Sequence, residues 1–208
     1  ASSTLVVAML HAFVEALNLP LGEYELAHLA YDIERVDLRL AGGKQDQYSA
    51  SFGGVNFMEF GGHGNVLVNP LRIKPWIVSE LESSLLLFFT GVSRESARII
   101  DQQVRNVRDG ARNPIDALLS VKDEALRMKA ALLKGDFGAF VDSMRSSWES
   151  KKQTASSVSN SHIDEIYSAA SAAGALAGKV SGAGGGGFMM FFVEPSAKPR
   201  VVKTLSAF

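Results

Sequence analysis

Hydrophobic and polar positions along this chain switch repeatedly between a helical rhythm and a strand rhythm. Ser2 to Leu17 opens with a cluster of N-cap residues, continues in good helix formers, and is broken by Asn18-Leu19-Pro20-Leu21-Gly22. A second helix is predicted over about Glu23 to Asp37, a loop at Gly42-Gly43, and a short helix over Gln45 to Ser51. Val55 to Phe60 alternates with β-type residues before the turn Gly61-Gly62-His63-Gly64, and Asn65 to Val68 returns as its hairpin partner. Leu85 to Phe89 reads as a buried strand. Ser93 is expected to cap a helix running to about Arg108, with Ala97, Ile100 and Val104 on one face.

Two further helices fit Pro114 to Leu133 and Phe137 to Trp148. The stretch from Ser146 to Ser161 is rich in Ser, Lys and Gln, which reads as a solvated connector or a mobile loop over a site, with composition favouring the connector. His162 to Ala173 is helical, Ala175 to Val180 and Phe188 to Val193 are strands, and Val201 to Leu205 reads as a helix. No fixed-period repeat is present. Helices and strands mix without strict alternation, which predicts a two-layer α+β arrangement.

Composition narrows the possible partners. The chain has 208 residues, 47% of them hydrophobic, which is enough for a packed core in one large domain or two small ones. A formal charge of −1 supplies no basic excess to drive binding to a phosphate polymer, so no nucleic-acid partner is expected. The longest apolar runs have strand length, well short of the roughly 20 residues that span a bilayer, so no membrane role is expected either. With no cysteine there is no disulfide scaffold, thiolate metal site or Cys nucleophile, and the default compartment is the cytoplasm.

Three places could carry chemistry. The run Ser181-Gly182-Ala183-Gly184-Gly185-Gly186-Gly187, between two strands, can present bare backbone amides to an anion or can simply make a tight strand-to-strand loop. It lacks the pattern of a P-loop. Ser2, Ser3 and Thr4 sit where helix-start amides attract phosphate and where a hydroxyl can ligate Mg2+, although capping is what such residues most often do. Glu34 and Asp46 are two carboxylates that a helix-loop-helix would bring close. They could then hold Mg2+ and orient a substrate hydroxyl, the alternative being ordinary surface acids.

The string Gly43-Lys44-Gln45-Asp46-Gln47-Tyr48, with Phe52-Gly53-Gly54 after it, makes the pattern specific. Together with the early Ser2-Ser3-Thr4 and the late Lys179 to Gly187 segment, in that order, it resembles the GHMP kinases, and within them the bacterial heptose 7-phosphate kinases. Phe57-Met58-Glu59-Phe60, Leu87-Phe88-Phe89-Thr90-Gly91 with Ser93-Arg94, and Ile163-Asp164-Glu165-Ile166-Tyr167 are also family-like.

The resemblance implies an α+β GHMP fold: an incomplete ribosomal-protein-S5-like half over residues 1–78, then a ferredoxin-like C-terminal half over 79–208. It implies an ATP- and Mg2+-dependent kinase acting on a small-molecule sugar phosphate, D-glycero-D-manno-heptose 7-phosphate at its anomeric hydroxyl. A fucose- or galactose-type sugar kinase and a non-catalytic ligand-binding relative are the alternatives. By motif position Asp46 would be the catalytic carboxylate with Lys44 beside it, and Ser2 and Glu34 the Mg2+ ligands. Ser2, Ser3 and Thr4 would contact the nucleotide phosphates, and Gly182, Gly184, Gly185 and Gly186 would form the substrate or phosphate loop.

A second anion site for the sugar phosphate would draw on Lys44, Arg72, Arg94, Lys151, Lys152 or Lys179. The family's N-terminal motif and the glycine-rich arm of its phosphate loop are absent from this sequence. The chain starts without an initiator Met and stops inside what reads as a helix, so both ends are expected to be truncated; the missing N-terminal region was removed or is supplied by a partner polypeptide, and the 208-residue chain by itself is expected to be inactive or badly impaired.

Overall fold

The computed structural model describes residues 2–92 and 96–208, with the backbone alone at Ser2, His63 and Ser96. The predicted Ser93 cap and Arg94 lie outside the described residues, as does the Ser2 hydroxyl. The chain divides into two compact units, residues 1–72 and 73–208.

In the first unit, α1 (Ser2–Leu17) packs against α2 (Glu23–Tyr31) through Val7, Leu26 and Ala30, with Val6, Leu10 and Val14 flanking them. Gly22 precedes α2, and its amide donates to the Glu25 carboxylate, the reciprocal half of a capping box. The helix does not stop at Tyr31. It widens into a π-helical turn over Asp32–Asp37, a local form that recurs at functional sites, and this turn carries Glu34 into the interior.

After a loop through Gly43, α3 (Gln45–Phe52) lies against α1 and α2. Its Tyr48 joins Ala27 and Val68 in a second small core. The strands β1 (Asn56–Phe60) and β2 (Val66–Pro70) pair antiparallel, Phe60 opposite Val66 and Asn56 opposite Pro70. The Val68 amide donates to the Tyr24 hydroxyl at 3.0 Å, tying the hairpin to α2.

The second unit is built on a three-stranded antiparallel sheet in the order β3-β5-β4: β3 (Leu85–Phe89), β4 (Ala175–Val180) and β5 (Phe188–Val193). Because strand side chains alternate faces, Phe191 and Phe192 of the central strand enter different cores. On one face, α8 (Ser161–Ala172) and α9 (Lys198–Leu205) supply Ile163, Ile166, Val201 and Leu205, beside Ile99 of α5 (Ser96–Arg108) and Trp148. On the other, α4 (Pro75–Ser84), α6 (Arg112–Lys134) and α7 (Phe137–Lys152) supply Ile77, Leu132, Phe140 and Met144. Gly135, in the left-handed region at φ 72°, ends α6, and the Asp136 carboxylate accepts from the Ala139 amide at 3.0 Å to start α7.

Two features depart from the sequence expectation. Residues 75–84, which were given no element above, form a helix, so the expected boundary at position 78 falls inside α4, whose Ile77 is buried among α6 and α7. The Ser- and Lys-rich segment beginning at Ser146 is helical as far as Lys152, because Ser147 and Trp148 are buried faces of α7, leaving only 153–160 as a connector. No described helix is long and apolar enough to cross a membrane.

Candidate functional site

The first candidate site gathers where the starts of α1 and α3 meet the π-helical turn. Successive helix residues point about 100° apart. Asp46, in the first turn of α3, is therefore exposed while its neighbour Gln47 is wholly buried. The Gln47 amide nitrogen donates to Glu34 Oε2 at 2.6 Å and, more weakly, to Ser3 Oγ at 3.4 Å. Ser3, Glu34 and Gln47 are respectively 2%, 1% and 0% exposed. Thr4, one residue on from Ser3, faces solvent.

Glu34 is the anomaly of this cluster. Its other oxygen, Oε1, is buried without a hydrogen-bond partner, and so are Gln47 Oε1 and Ser51 Oγ. No described cation pairs with the Glu34 carboxylate. An ionised carboxylate held by one neutral donor is costly to bury, and such groups are normally paired or bound to a metal. Among the described residues no group of three or more His, Cys, Asp or Glu side chains could hold a metal ion unaided. Mg2+ asks for less, since at phosphoryl-transfer sites it takes one or two carboxylates and completes its shell with phosphate oxygens and water. A buried carboxylate with one oxygen open, beside a helix-start hydroxyl, fits that requirement.

Asp46 makes no hydrogen bond or ion pair among the described residues, so its carboxylate is free for an incoming group. The Lys44 ammonium donates to the Gly64 carbonyl at 3.0 Å and lies 4.7 Å from the centre of the Tyr31 ring. Arg35 Nε donates to the Gly43 carbonyl at 3.3 Å. Both contacts fix the loop before α3. Gly43, Lys44 and Gln45 face Phe60, Gly61, Gly64 and Asn65 across an open cleft.

In the second unit, the glycine-rich loop joins β4 to β5. Gly182, Gly184, Gly185, Gly186 and Gly187 all have positive φ. A Cβ at Gly184 would sit 2.7 Å from the Val158 carbonyl oxygen, so only glycine lets the two backbones approach. The Gly185 amide donates to that same carbonyl, the Asn160 side chain donates to the Gly185 carbonyl at 3.2 Å, and Lys151 donates to the Gly182 carbonyl. The Gly187 amide is taken by the Val92 carbonyl. The amides of Gly182, Ala183, Gly184 and Gly186 have no hydrogen-bond acceptor among the described residues, which leaves them open to an anion. Lys179, half-buried just before this loop, has its pKa lowered by desolvation.

The sequence brought Ser3, Glu34 and the α3 start into view. It did not single out Gln47, whose signal was only its place beside Asp46.

A hydroxyl at a helix start, a buried carboxylate open to a cation and a glycine loop with free amides, carried on an α+β framework, suit a protein that handles phosphate groups. The chain belongs to the GHMP kinase family. The family model for the GHMP kinases N terminal domain matches residues 1–54, and the one for GHMP kinases C terminal matches residues 128–208. The α+β class and the GHMP kinase fold expected from the sequence therefore hold.

The chain is 50% identical over 204 residues to the D-glycero-alpha-D-manno-heptose 7-phosphate kinase of Campylobacter jejuni, covering 98% of this chain and 60% of that protein. It is 47% identical, with a TM-score of 0.76, to the crystal structure of a D-glycero-D-manno-heptose 1-phosphate kinase from Bacteriodes thetaiotaomicron, covering 100% of this chain and 56% of that one. The crystal structure of L. major mevalonate kinase in complex with R-mevalonate shares the fold at 22% identity and a TM-score of 0.77, covering 100% of this chain and 61% of that one. The chain thus spans about 60% of the length of the curated relative.

Proposed function

We propose that this chain carries the catalytic carboxylate and the metal-binding carboxylate of an ATP-dependent sugar-phosphate kinase, acting in the cytoplasm on D-glycero-D-manno-heptose 7-phosphate. The observation that carries the reading is Glu34: a buried carboxylate with an open oxygen and no cationic partner among the described residues, twelve positions before a free Asp46. The identity to a heptose 7-phosphate kinase supports the choice of sugar.

The anomeric oxygen of the heptose attacks the γ-phosphorus of ATP in line. The bond from that phosphorus to the β–γ bridging oxygen breaks, and ADP departs with the bonding pair. The hydroxyl proton passes to the Asp46 carboxylate, which orients the nucleophile and accepts the proton late, since an ordinary carboxylate is a weak base. Glu34, with a hydroxyl from the start of α1, would hold Mg2+. When bound, the ion neutralises charge on the phosphate oxygens. The first-turn amides of α1 favour a nucleotide phosphate, and the free amides of the Gly182–Gly186 loop by themselves suit an anion. Lys44, held on the Gly64 carbonyl, keeps positive charge next to the α3 start.

The test is ADP release by the full-length protein from ATP and Mg2+, with heptose 7-phosphate, heptose 1-phosphate, fucose and galactose offered in parallel. Turnover with the 7-phosphate, abolished by Asp46→Asn, is the expected outcome. Turnover with another sugar would keep the kinase and discard the substrate. Ligand binding without ADP release, indifferent to Asp46→Asn, would overturn catalysis altogether.

A further inference from the structure

Gln47 is a fully buried polar side chain on α3, about 100° around the helix from the exposed Asp46. Resting on the kinase reading above, we infer that Gln47 is a positioning residue. Its amide locks the Glu34 carboxylate in one orientation and links it to Ser3, so that a single oxygen is presented to a divalent cation.

The geometry carries the argument. The short 2.6 Å bond from Gln47 Nε2 occupies Glu34 Oε2 and leaves Oε1 unpartnered. The same nitrogen lies 3.4 Å from Ser3 Oγ, so one amide joins the π-helical turn, α3 and the first turn of α1. A carboxylate on a π-helical turn has rotamers to lose, and a partner outside the metal's own coordination is what ordinarily fixes a ligand's orientation.

The type of donor also matters. A lysine or arginine at position 47 would satisfy Glu34 better, but it would neutralise the charge a cation needs and repel the cation itself. A neutral amide orients the carboxylate without cancelling its charge. It also places α3 so that the helix turning Gln47 inward turns Asp46 outward, which couples the metal-binding and proton-accepting carboxylates through adjacent residues.

The experiment measures Mn2+ binding to the full-length protein with ADP present, by electron paramagnetic resonance, alongside kcat and KM. Gln47→Met and Gln47→Leu keep the side-chain volume and remove the amide, and having two replacements guards against one that fails to fold. Glu34→Gln serves as reference. Loss of an orienting partner of this kind typically weakens metal binding about 10- to 100-fold. The expected result is a weakening in that range for both Gln47 variants, a matching rise in the Mg2+ needed for half-maximal rate, and an unchanged KM for the sugar phosphate. If Glu34→Gln abolishes Mn2+ binding while the Gln47 variants bind within twofold of wild type and merely melt earlier, Gln47 is a packing residue and the kinase reading survives. If Glu34→Gln also leaves Mn2+ binding intact, the metal role of Glu34 falls and the role of Gln47 falls with it.

Discussion

Replacing Glu34 with Gln should make the metal-free protein more stable while removing its activity. Glu34 is 1% exposed, receives one hydrogen bond and leaves Oε1 without a partner. The isosteric amide removes the buried charge. A hydrogen bond between the two side chains survives the change in either amide orientation, so the gain comes from removing the carboxylate's desolvation cost rather than from a new partner. For an unsatisfied buried group that cost is about 1–3 kcal/mol, which for a protein near this size is roughly 2–12 °C in Tm. Cation binding reverses the order, because a ligand at a hundred times its Kd stabilises the folded state by about 2.7 kcal/mol. Wild type should gain that increment when Mg2+ is added and the variant should not. Differential scanning fluorimetry with ADP present, in EDTA and in excess Mg2+, should therefore show the two Tm values changing order. A Glu34→Gln protein that melts below wild type in EDTA, or that gains as much from Mg2+, would refute the reasoning.

Asp46→Asn should leave Tm within a degree or so, because the carboxylate is exposed and has no described partner, while kcat falls by about 10^2- to 10^4-fold, the usual worth of a positioned proton acceptor; a large Tm change would show that Asp46 is structural. Gly184→Ala forces a Cβ to within 2.7 Å of the Val158 carbonyl oxygen at φ 117°, so strain and overpacking together should cost about 2–6 kcal/mol. Gly182→Ala, with open space at φ 78°, should cost only about 1–2 kcal/mol, and equal losses in urea denaturation would refute the contrast. Burial lowers the Lys179 pKa, so between that value and 10.5 the unfolded chain holds more protons than the folded one. Stability then rises with pH across the window, and the burial penalty is fully present below it. Lys179→Met should accordingly out-melt wild type at pH 7, with the gap closing toward pH 10.5; a gap independent of pH would assign the gain to packing.

What the sequence revealed and what it hid divide along a physical line. Strands β3, β4 and β5 and the break at Pro20 were readable because apolar runs and backbone-limited residues act locally. α4 had a local signal too, since Lys74 is extended and Pro75 takes the first helical position, where its missing N–H costs nothing. Ser146 to Lys152 misled because serines read as solvated. Here Ser143 and Ser147 are buried on α7, and the Ser150 hydroxyl meets that of Ser120 on α6 at 2.9 Å, small side chains that let the two helices approach. Gln47 was invisible for the same reason, because a polar residue's burial is a tertiary fact without a local signature.

The glycine-rich loop carries the same point further, since its composition suggests freedom and its surroundings impose a shape. Gln103 donates to the Thr154 hydroxyl at 2.7 Å, Asn106 to the Thr154 carbonyl at 2.8 Å and Gln102 to the Ser156 hydroxyl at 2.9 Å. These amides of α5 fasten the connector that ends in Val158 and Asn160. That connector in turn grips Gly184 and Gly185, while just after β3 the Thr90 amide and hydroxyl both donate to the Gly187 carbonyl at 2.9 Å. Glycine serves there for close approach between backbones. A loop so held keeps its free amides fixed in place, so the anion binding proposed for it would need no reordering of the backbone, the preorganisation that electrostatic catalysis requires.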